Sequence, residues 1–558
     1  MNAGPPTHSA RRTGRWMPVL FAVMLAACAP AGPDGAAVDA DKALVSLRIL
    51  AFNDFHGNIQ ASDPSPGRLT LTIDGKEEMV ETGGAAYLAA HVARERAGHA
   101  NSILVSAGDL TGASPLVSAL LKDAPTIDVM NEIGLDLNAV GNHEFDYGLA
   151  ELKQKMGAAR FGYLAANVLN PAALSPPFPG WSVRGFDGVK VGFIGAVTAE
   201  TPSIVAASGI KGLTFQDPLE SLNSVARTLR ADGVDAIVAI LHEGATVPAG
   251  IAQDGRPCEG MSGALVDIVQ GADPAIDLFI SGHTHQAYAC RLDGRLVTQT
   301  ASYGRMLSVI DLTLKGGDVV AASVRNQPVT RDVAPDPDIA ALVAEAEAAT
   351  APIRAQPVAG LPGQVTRSPD GSGESALGDL IADAQLASGR LLGARIAFMN
   401  PGGIRQDLPS DPAKTDVSLG DLFAVQPFGN NLVAMDLTGA EIKTLLEQQW
   451  IDQPEDRRPR MLQVSAGFSY CYDAGRTDGN KVLAETITLD GQLLHPADTY
   501  RIVVNSFLAD GGDRFTVLRE GRNRVQGDND LNALRDHLTK PGVVVPLAPA
   551  GRLCRQGM

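Results

Sequence analysis

Five short polar segments carry side chains able to hold metal ions: Asn53-Asp54-Phe55-His56-Gly57, Ala107-Gly108-Asp109, Gly141-Asn142-His143-Glu144-Phe145-Asp146, His242-Glu243-Gly244 and Ser281-Gly282-His283-Thr284-His285-Gln286. The donors are carboxylate and amide oxygens and imidazole nitrogens, with no thiolate. That mixture suits Mn, Zn, Co, Fe or Mg in a reactive centre better than a structural zinc site. One Asp-x-His or His-x-His on its own would weigh little. Five such segments, each just past an apolar run, point to one centre. Buried Asp, Asn and His without partners cost several kcal/mol each, and coordination removes that cost. Asp54-x-His56 and His283-x-His285 are expected on extended backbone, which places alternate side chains on one side.

The elements that must position these residues are short apolar strands alternating with helices. Strands are expected over Leu47–Phe52, Ile103–Val105, Leu137–Val140, Val191–Ile194, Ala236–Leu241 and Ile276–Ile280. Helices are expected over Ala85–Ala97, Leu116–Lys122 and Leu219–Ala231. This alternation is an α/β layer pattern. In such sheets ligands bind beyond the carboxyl ends of the strands, which is where the polar segments fall. A helix rich in Ala and Glu follows, Asp336–Arg354, bracketed by prolines, and reads as a connector. A chain of 558 residues exceeds one hydrophobic core and calls for two large domains. The expected boundaries are 1–28 for a signal peptide, 29–43 for a tether, 44–330 for the metal-bearing domain, 331–357 for the connector and 358–558 for a second domain. That second domain has helices of its own near Gly378–Leu386 and Gly439–Gln449, and strands near Arg395–Met399 and Tyr500–Val504.

The net charge of −17 excludes a basic face for polymeric nucleic acid, but not a small anionic substrate, because bound cations reverse the local field. Arg11, Arg12 and Arg15 precede an apolar run, Val19–Ala27, too short to span a membrane and fit for an export signal. It ends in Leu25-Ala26-Ala27-Cys28, similar to a bacterial lipoprotein cleavage box, which implies a lipid on Cys28 and anchoring of an exported protein at a periplasmic or cell-surface membrane face. Four other cysteines lie two in each half, so an oxidising compartment makes one disulfide per half, Cys258–Cys290 and Cys471–Cys554, the expectation.

Three further segments mark the second half: Asn400-Pro401-Gly402-Gly403-Ile404-Arg405, Gln426-Pro427-Phe428-Gly429-Asn430 and Asn505-Ser506-Phe507-Leu508-Ala509-Asp510-Gly511-Gly512-Asp513. Glycines such as Gly403 admit a close ligand, and Arg405 can grip phosphate in a bidentate contact. Together with the metal segments, these resemble the 5′-nucleotidase family, which joins a calcineurin-like metallophosphoesterase domain to a nucleotide-binding domain and includes periplasmic UDP-sugar hydrolases. The resemblance implies a four-layer α/β/β/α domain followed by a smaller α+β domain. It implies two divalent ions, one held by Asp54, His56, Asp109 and His285 and the other by Asp109, Asn142, His242 and His283, with Asp109 shared. It implies His143 and Asp146 as the catalytic pair, Phe428 and Phe507 as a base sandwich, Asp513 on the ribose and Asn400 on base or ribose. It also implies rotation of the second domain about the connector. The stretch Gly373-Glu374-Ser375-Ala376-Leu377-Gly378-Asp379 departs from the family pattern: no basic residue lies in 370–373, and Asp379 stands in place of Asn. A thinner phosphate clamp resting on Arg405 is therefore expected. The activity implied is release of phosphate from extracytoplasmic nucleotides. The alternatives are a 2′,3′-cyclic phosphodiesterase or dinucleotide pyrophosphatase on the same scaffold, or a lipoprotein that binds nucleotides without hydrolysis.

Overall fold

The computed structural model describes residues 44–61, 67–73, 76–206, 208–248, 251–450 and 459–557. The signal peptide, the tether and Cys28 lie outside the described residues. Among the described residues no helix is long and apolar enough to cross a membrane.

The metal-bearing half is built from two sheets laid face to face. One runs in the order Asp318–Pro328, Met306–Lys315, Val45–Phe52, Ser102–Ser106, Leu137–Ala139, Gly162–Leu164. The other runs Gln253–Pro257, Ala287–Leu292, Arg295–Thr300, Leu278–Ser281, Ala236–His242, Val189–Val197, Trp181–Phe186. Both contain a parallel centre: Val45–Phe52 pairs with Ser102–Ser106, and Ala236–His242 lies between Val189–Val197 and Leu278–Ser281. Strands buried on both faces need continuous apolar sequence, and Ala236–His242 is buried at every position. Alternate residues serve the two faces. Val238 and Ile240 pack between the sheets against Leu47, Ile49 and Val105, while Ile237, Ala239 and Leu241 face the helices Pro218–Ala231 and Ala264–Gly271. On the opposite outer face Phe52, Leu104 and Val309 pack under Ala85–Arg96 and Ala124–Ile133. The result is the expected α/β/β/α stack.

Helix Pro337–Arg354 starts where Pro335-Asp336-Pro337 dictates. The Asp336 side chain accepts from the N–H groups of Asp338 and Ile339, and Pro337 has no N–H to lose. Its Ile339 and Ala346 lie in the same core as Phe52 and Leu104, so the helix is packed as part of the metal-bearing half. The chain then enters Pro357–Gly360, which pairs with Asp416–Ser418, and Val358 joins a different core around Leu377, Leu380 and Leu422. The backbone thus leaves one core and enters the other across Ala355–Gln356, while Pro337–Arg354 also touches the helix Leu419–Val425 of the second half.

The second half is an α+β layer. Its sheet runs Gln463–Val464, Ile396–Met399, Thr499–Asn505, Asn431–Thr438, Arg522–Asn529, covered by helices Ala376–Gly389 and Gly439–Glu447. The latter helix opens on a capping box, with the Thr438 hydroxyl on the Glu441 N–H and the Glu441 carboxylate on the Thr438 N–H. Both expected disulfides form, Cys258–Cys290 and Cys471–Cys554, the second tying the last strand Leu553–Gln556 alongside Phe468–Asp473.

Candidate dinuclear centre and nucleotide pocket

All five polar segments converge beyond the carboxyl ends of Val45–Phe52, Ser102–Ser106, Leu137–Ala139, Ala236–His242 and Leu278–Ser281. Asp54, His56, Asp109, Asn142 and His242 are buried, whereas His283 and His285 are half-buried. Asp54, His56 and His285 bring one ligand atom each to a common point, as do Asp109, His242 and His283. His56 Nε2 lies 3.2 Å from His285 Nε2, and His285 Nε2 lies 3.4 Å from Asp54 Oδ1. In the other set His242 Nε2 is 3.1 Å from both Asp109 Oδ2 and Asn142 Oδ1, and His283 Nδ1 is 3.0 Å from Asn142 Oδ1. Asp109 Oδ2 also stands 3.7 Å from His56 Nε2, so one carboxylate oxygen borders both sets.

The remote ring nitrogens show what the near ones are for. His56 Nδ1 donates to Gly112 O and His242 Nδ1 to Ala107 O, each at 2.8 Å. Those bonds place the proton on Nδ1 and turn the Nε2 lone pairs inward, the usual posture of a metal-ligating imidazole. The His56 Nε2 lone pair thus faces His285 Nε2 at 3.2 Å beside the buried carboxylates of Asp54 and Asp109, a grouping a cation would hold together. Burial works against a charged His242, yet Asp109 and Asp54 outweigh it and push its pKa up to about 10, the response of a site that needs a cation. The donor set therefore fits two divalent ions with oxygen and nitrogen ligands.

The backbone around the ligands departs from the extended form expected for Asp54-x-His56 and His283-x-His285. Asp54, His56, Asp109, His283 and His285 all have positive φ, from 47° to 73°. Such left-handed residues cost about 1–3 kcal/mol each and persist only where the surroundings hold them. The strand ends at Phe52, and a chain turning sharply over the sheet edge, not a continuing strand, aims both side chains inward. His56 N on Asp109 O at 2.9 Å and Asp54 N on Gly108 O at 3.0 Å fasten this turn to the next loop. Gly108 is obligatory for the same reason: its φ is +89°, and a Cβ there would sit 2.6 Å from His242 Nδ1.

Glu144 is the residue the sequence reading passed over. It is buried and accepts from the N–H groups of Gly141, Asp109, Leu110 and Thr111, at 2.6, 3.0, 2.7 and 3.3 Å. One carboxylate thus fixes the loops of Asp109 and Asn142 against each other. Its place inside the Asn142-His143-Glu144 run was the available signal. Behind the same loop, buried Lys155 contacts Asp123 at 3.3 Å, and Asp123 accepts from Gly112 N at 3.2 Å.

His143 and Asp146 meet as expected, Nδ1 to Oδ2 at 2.9 Å, across one 3-10 turn. Burial opposes a charged His143, but Asp146 and Asp109 overcome it and raise its pKa. Asp146 also accepts from Ala113 N at 3.1 Å, so it is fixed from two sides.

His143 and His283 open on a cavity of about 240 Å³ whose far wall belongs to the second half: Asn400, Gly403, Arg405, Phe428, Phe507 and Asp513 all line it. Phe428 stacks on the His143 ring at 5.7 Å and 19°, and the Arg405 guanidinium lies 5.7 Å from the same Phe ring. Asp513 accepts from Asn400 Nδ2 at 2.8 Å, and Asn505 in turn donates to Asn400 Oδ1 at 3.0 Å. The wall contains a second guanidinium, Arg460, which sequence reasoning missed because it sits outside the motif segments. Asp379 has no part in the cavity. Its Oδ2 accepts from Ala550 N at 2.9 Å, and Arg552 lies 3.7 Å away, so it anchors the C-terminal segment.

Two clusters of metal-binding side chains on an α/β/β/α stack, opening on a cavity walled by a second α+β half, mark a metallophosphoesterase with a further domain, and comparison with known proteins agrees. Residues 47–287 match the calcineurin-like phosphoesterases, and residues 351–520 match the 5′-nucleotidase C-terminal domain. The chain is 33% identical to cell wall protein Lmo0130 of Listeria monocytogenes over 91% of this chain and 69% of that protein. It is 30% identical to endonuclease YhcR of Bacillus subtilis, over 91% of this chain but 41% of that protein's length. The crystal structure of a 5′-nucleotidase precursor from Thermus thermophilus superposes with a TM-score of 0.76 at 28% identity, covering 92% of this chain and 100% of that one. The chain belongs to the 5′-nucleotidase family, whose members are phosphoric ester hydrolases.

Proposed function

We propose that this protein is a two-metal phosphatase that releases phosphate from nucleoside 5′-phosphates outside the cytoplasm. One observation supports this most directly. The Asp109 carboxylate borders both donor sets, and Asn142 and His283 of the second set line a cavity whose wall also presents Arg405, Phe428, Phe507 and Asp513. Asp54, His56, Asp109 and His285 would hold one ion, and Asp109, Asn142, His242 and His283 the other. When bound there, such ions would supply a lowered pKa for a coordinated water and positive charge for the phosphate oxygens. The chain's own residues supply the rest. Arg405 grips a phosphate oxygen. His143, its Nδ1 fixed by Asp146, offers its remaining ring nitrogen to the phosphate or the leaving oxygen. Phe428 and Phe507 stack the base at roughly 1–3 kcal/mol, with little regard for which base. Asp513 accepts from the ribose hydroxyls, and Asn400 holds it in place.

Export is part of the same reading. The Arg11/Arg12/Arg15 cluster, the apolar run to Ala27 and Cys28 favour a lipid-anchored protein at a periplasmic or cell-surface membrane, and two disulfides favour an oxidising compartment. UDP-sugars are a further substrate class for the same pocket.

The test is phosphate release from AMP, ADP, ATP, UDP-glucose, 2′,3′-cyclic AMP and duplex DNA after loading with Mn or Zn. Turnover is expected to be fastest on a 5′-nucleotide. Fastest turnover of the cyclic ester or of DNA would replace this reading with a phosphodiesterase, and tight binding with every nucleotide recovered intact would replace it with a binding protein.

A further inference from the structure

One set of side chains in the pocket wall is not used by the chemistry above. Glu200 follows the strand Val189–Val197 in the metal-bearing half, and its carboxylate reaches across to two arginines of the other half. Arg514 Nη2 donates to Glu200 Oε1 at 2.8 Å, and Arg460 Nη2 lies 3.8 Å from Oε2. Glu200 and Arg460 are largely withdrawn from solvent, each 16% exposed, and Arg514 is partly so at 31%. Water therefore screens them less than an ordinary surface pair.

Both ends of this bridge lead to the reacting groups. On the metal side, Glu200 N donates to Thr198 Oγ1 at 3.2 Å, and Thr198 N donates to the carbonyl of His242 at 2.9 Å. The Thr198 hydroxyl donates to Glu243 at 2.7 Å. On the nucleotide side, Arg460 donates to Asp513 O at 3.2 Å, and Arg514 is the next residue along the chain. Asp513 and Arg514 both have left-handed φ, 53° and 65°. Two adjacent non-glycine residues in that conformation cost about 1–3 kcal/mol each and need external support. Asn400 supports Asp513 from within its own half. Support for Arg514 comes from Glu200, across the cleft.

We infer that Glu200 is a positioning residue that sets the Asp513 carboxylate at a fixed reach from the dinuclear centre, through Arg514 and Arg460, and so selects ligands carrying a ribose diol. The inference rests on the nucleotide reading for the part Asp513 plays. The chain crosses between the halves at Ala355–Gln356, so their register depends on contacts across the cleft, of which this bridge is the one beside Asp513 and the packing of Leu419–Val425 on Pro337–Arg354 is another. Glu200 is the acid of the metal-bearing half that meets arginines on the side of the pocket where Asp513 lies.

The test uses the zinc-loaded full chain and two ligands that need no turnover, adenosine and 2′,3′-dideoxyadenosine, with calorimetric Kd values. In the wild type adenosine is expected to bind the tighter of the two. In Glu200→Ala the Kd for adenosine is expected to rise about tenfold, the scale of one charged hydrogen bond, while that for the dideoxy compound changes less than about threefold. Inorganic phosphate, a probe of the metal half, is expected to bind as before. Glu200→Gln keeps the side-chain volume and stands in should the alanine variant fold poorly. Glu200→Ala/Arg514→Ala is expected to lose no more than the worse single variant. Spin labels at Arg184→Cys and Lys540→Cys, exposed and one in each half, are expected to report a broadened distance distribution in Glu200→Ala. Unchanged discrimination between the two nucleosides, or fully additive losses in the double variant, would overturn the inference. A wild type that ignores adenosine refutes the nucleotide reading, and the spin-label distances then decide alone whether Glu200 holds the halves in register.

Discussion

His143 and Asp146 are three residues apart on one 3-10 turn, and that turn exists because Glu144 between them is locked onto the Asp109 loop. The pair therefore needs no ligand to assemble: the 2.9 Å contact is already formed. Replacing His143 by Ala removes the ring but keeps the backbone N–H that donates to Asp109 Oδ1 at 2.8 Å. Turnover of AMP is expected to fall about 10²–10⁴-fold with metal content by mass spectrometry unchanged. A variant that loses its metal along with its activity would make His143 a structural residue. Phe507 lines the cavity with Phe428, and Phe507→Ala is expected to raise the KM for AMP roughly 5–150-fold, the cost of one stacked base, with little effect on kcat. An unmoved KM would place the base elsewhere.

Among elements, the loop from Asp109 to Ser114 bears most of the geometry, since it supplies Asp109 itself, the Gly112 carbonyl for His56 and the Ala113 N–H for Asp146. Asp123 and Lys155 hold it from behind as a buried ion pair. Lys155→Met strands a buried carboxylate and is expected to cost about 3–5 kcal/mol in denaturant unfolding, with weaker metal binding, while Asp123→Asn/Lys155→Met together cost less than Lys155→Met alone. Equal losses in both would show that the charge is immaterial. This layer also marks how far the sequence could be read. The strands were legible because buried parallel strands demand unbroken apolar runs such as Ala236–Leu241, and the ligands because Asp, Asn and His directly beyond such runs have few other uses. The helix after Asp336 was legible from its cap and prolines. The left-handed turns at Asp54, His56, His283 and His285 were not, since only glycine announces positive φ in sequence and here packing imposes it on other residues. Arg460 and Glu200 were not legible either: an arginine or glutamate outside a motif looks like any solvated charge until folding brings it across a cleft.

At the scale of the whole molecule, the two halves share the walls of one cavity, and acidic side chains outnumber basic ones, 63 to 46. Asp530, beside the pocket loop through Asn430, shows how that acidity couples to stability. Burial pushes its carboxyl up to about 7 from 3.8. Between about pH 4 and 7 the folded chain keeps a proton that the unfolded chain has released, so this group's contribution to stability falls as pH rises through that window. Asp530→Asn, which cannot ionise, is expected to melt higher than the wild type at pH 8 and within a degree or so of it at pH 4. The same difference at both pH values would show that Asp530 ionises normally. The central claim, that distant carboxylates and imidazoles form a two-ion centre acting on nucleotides, is tested most directly by titrating metal-stripped protein with Mn and following phosphate release from AMP. The rate is expected to climb to a plateau near two equivalents per chain. No phosphate at any metal load, or a plateau reached at one equivalent, would contradict it.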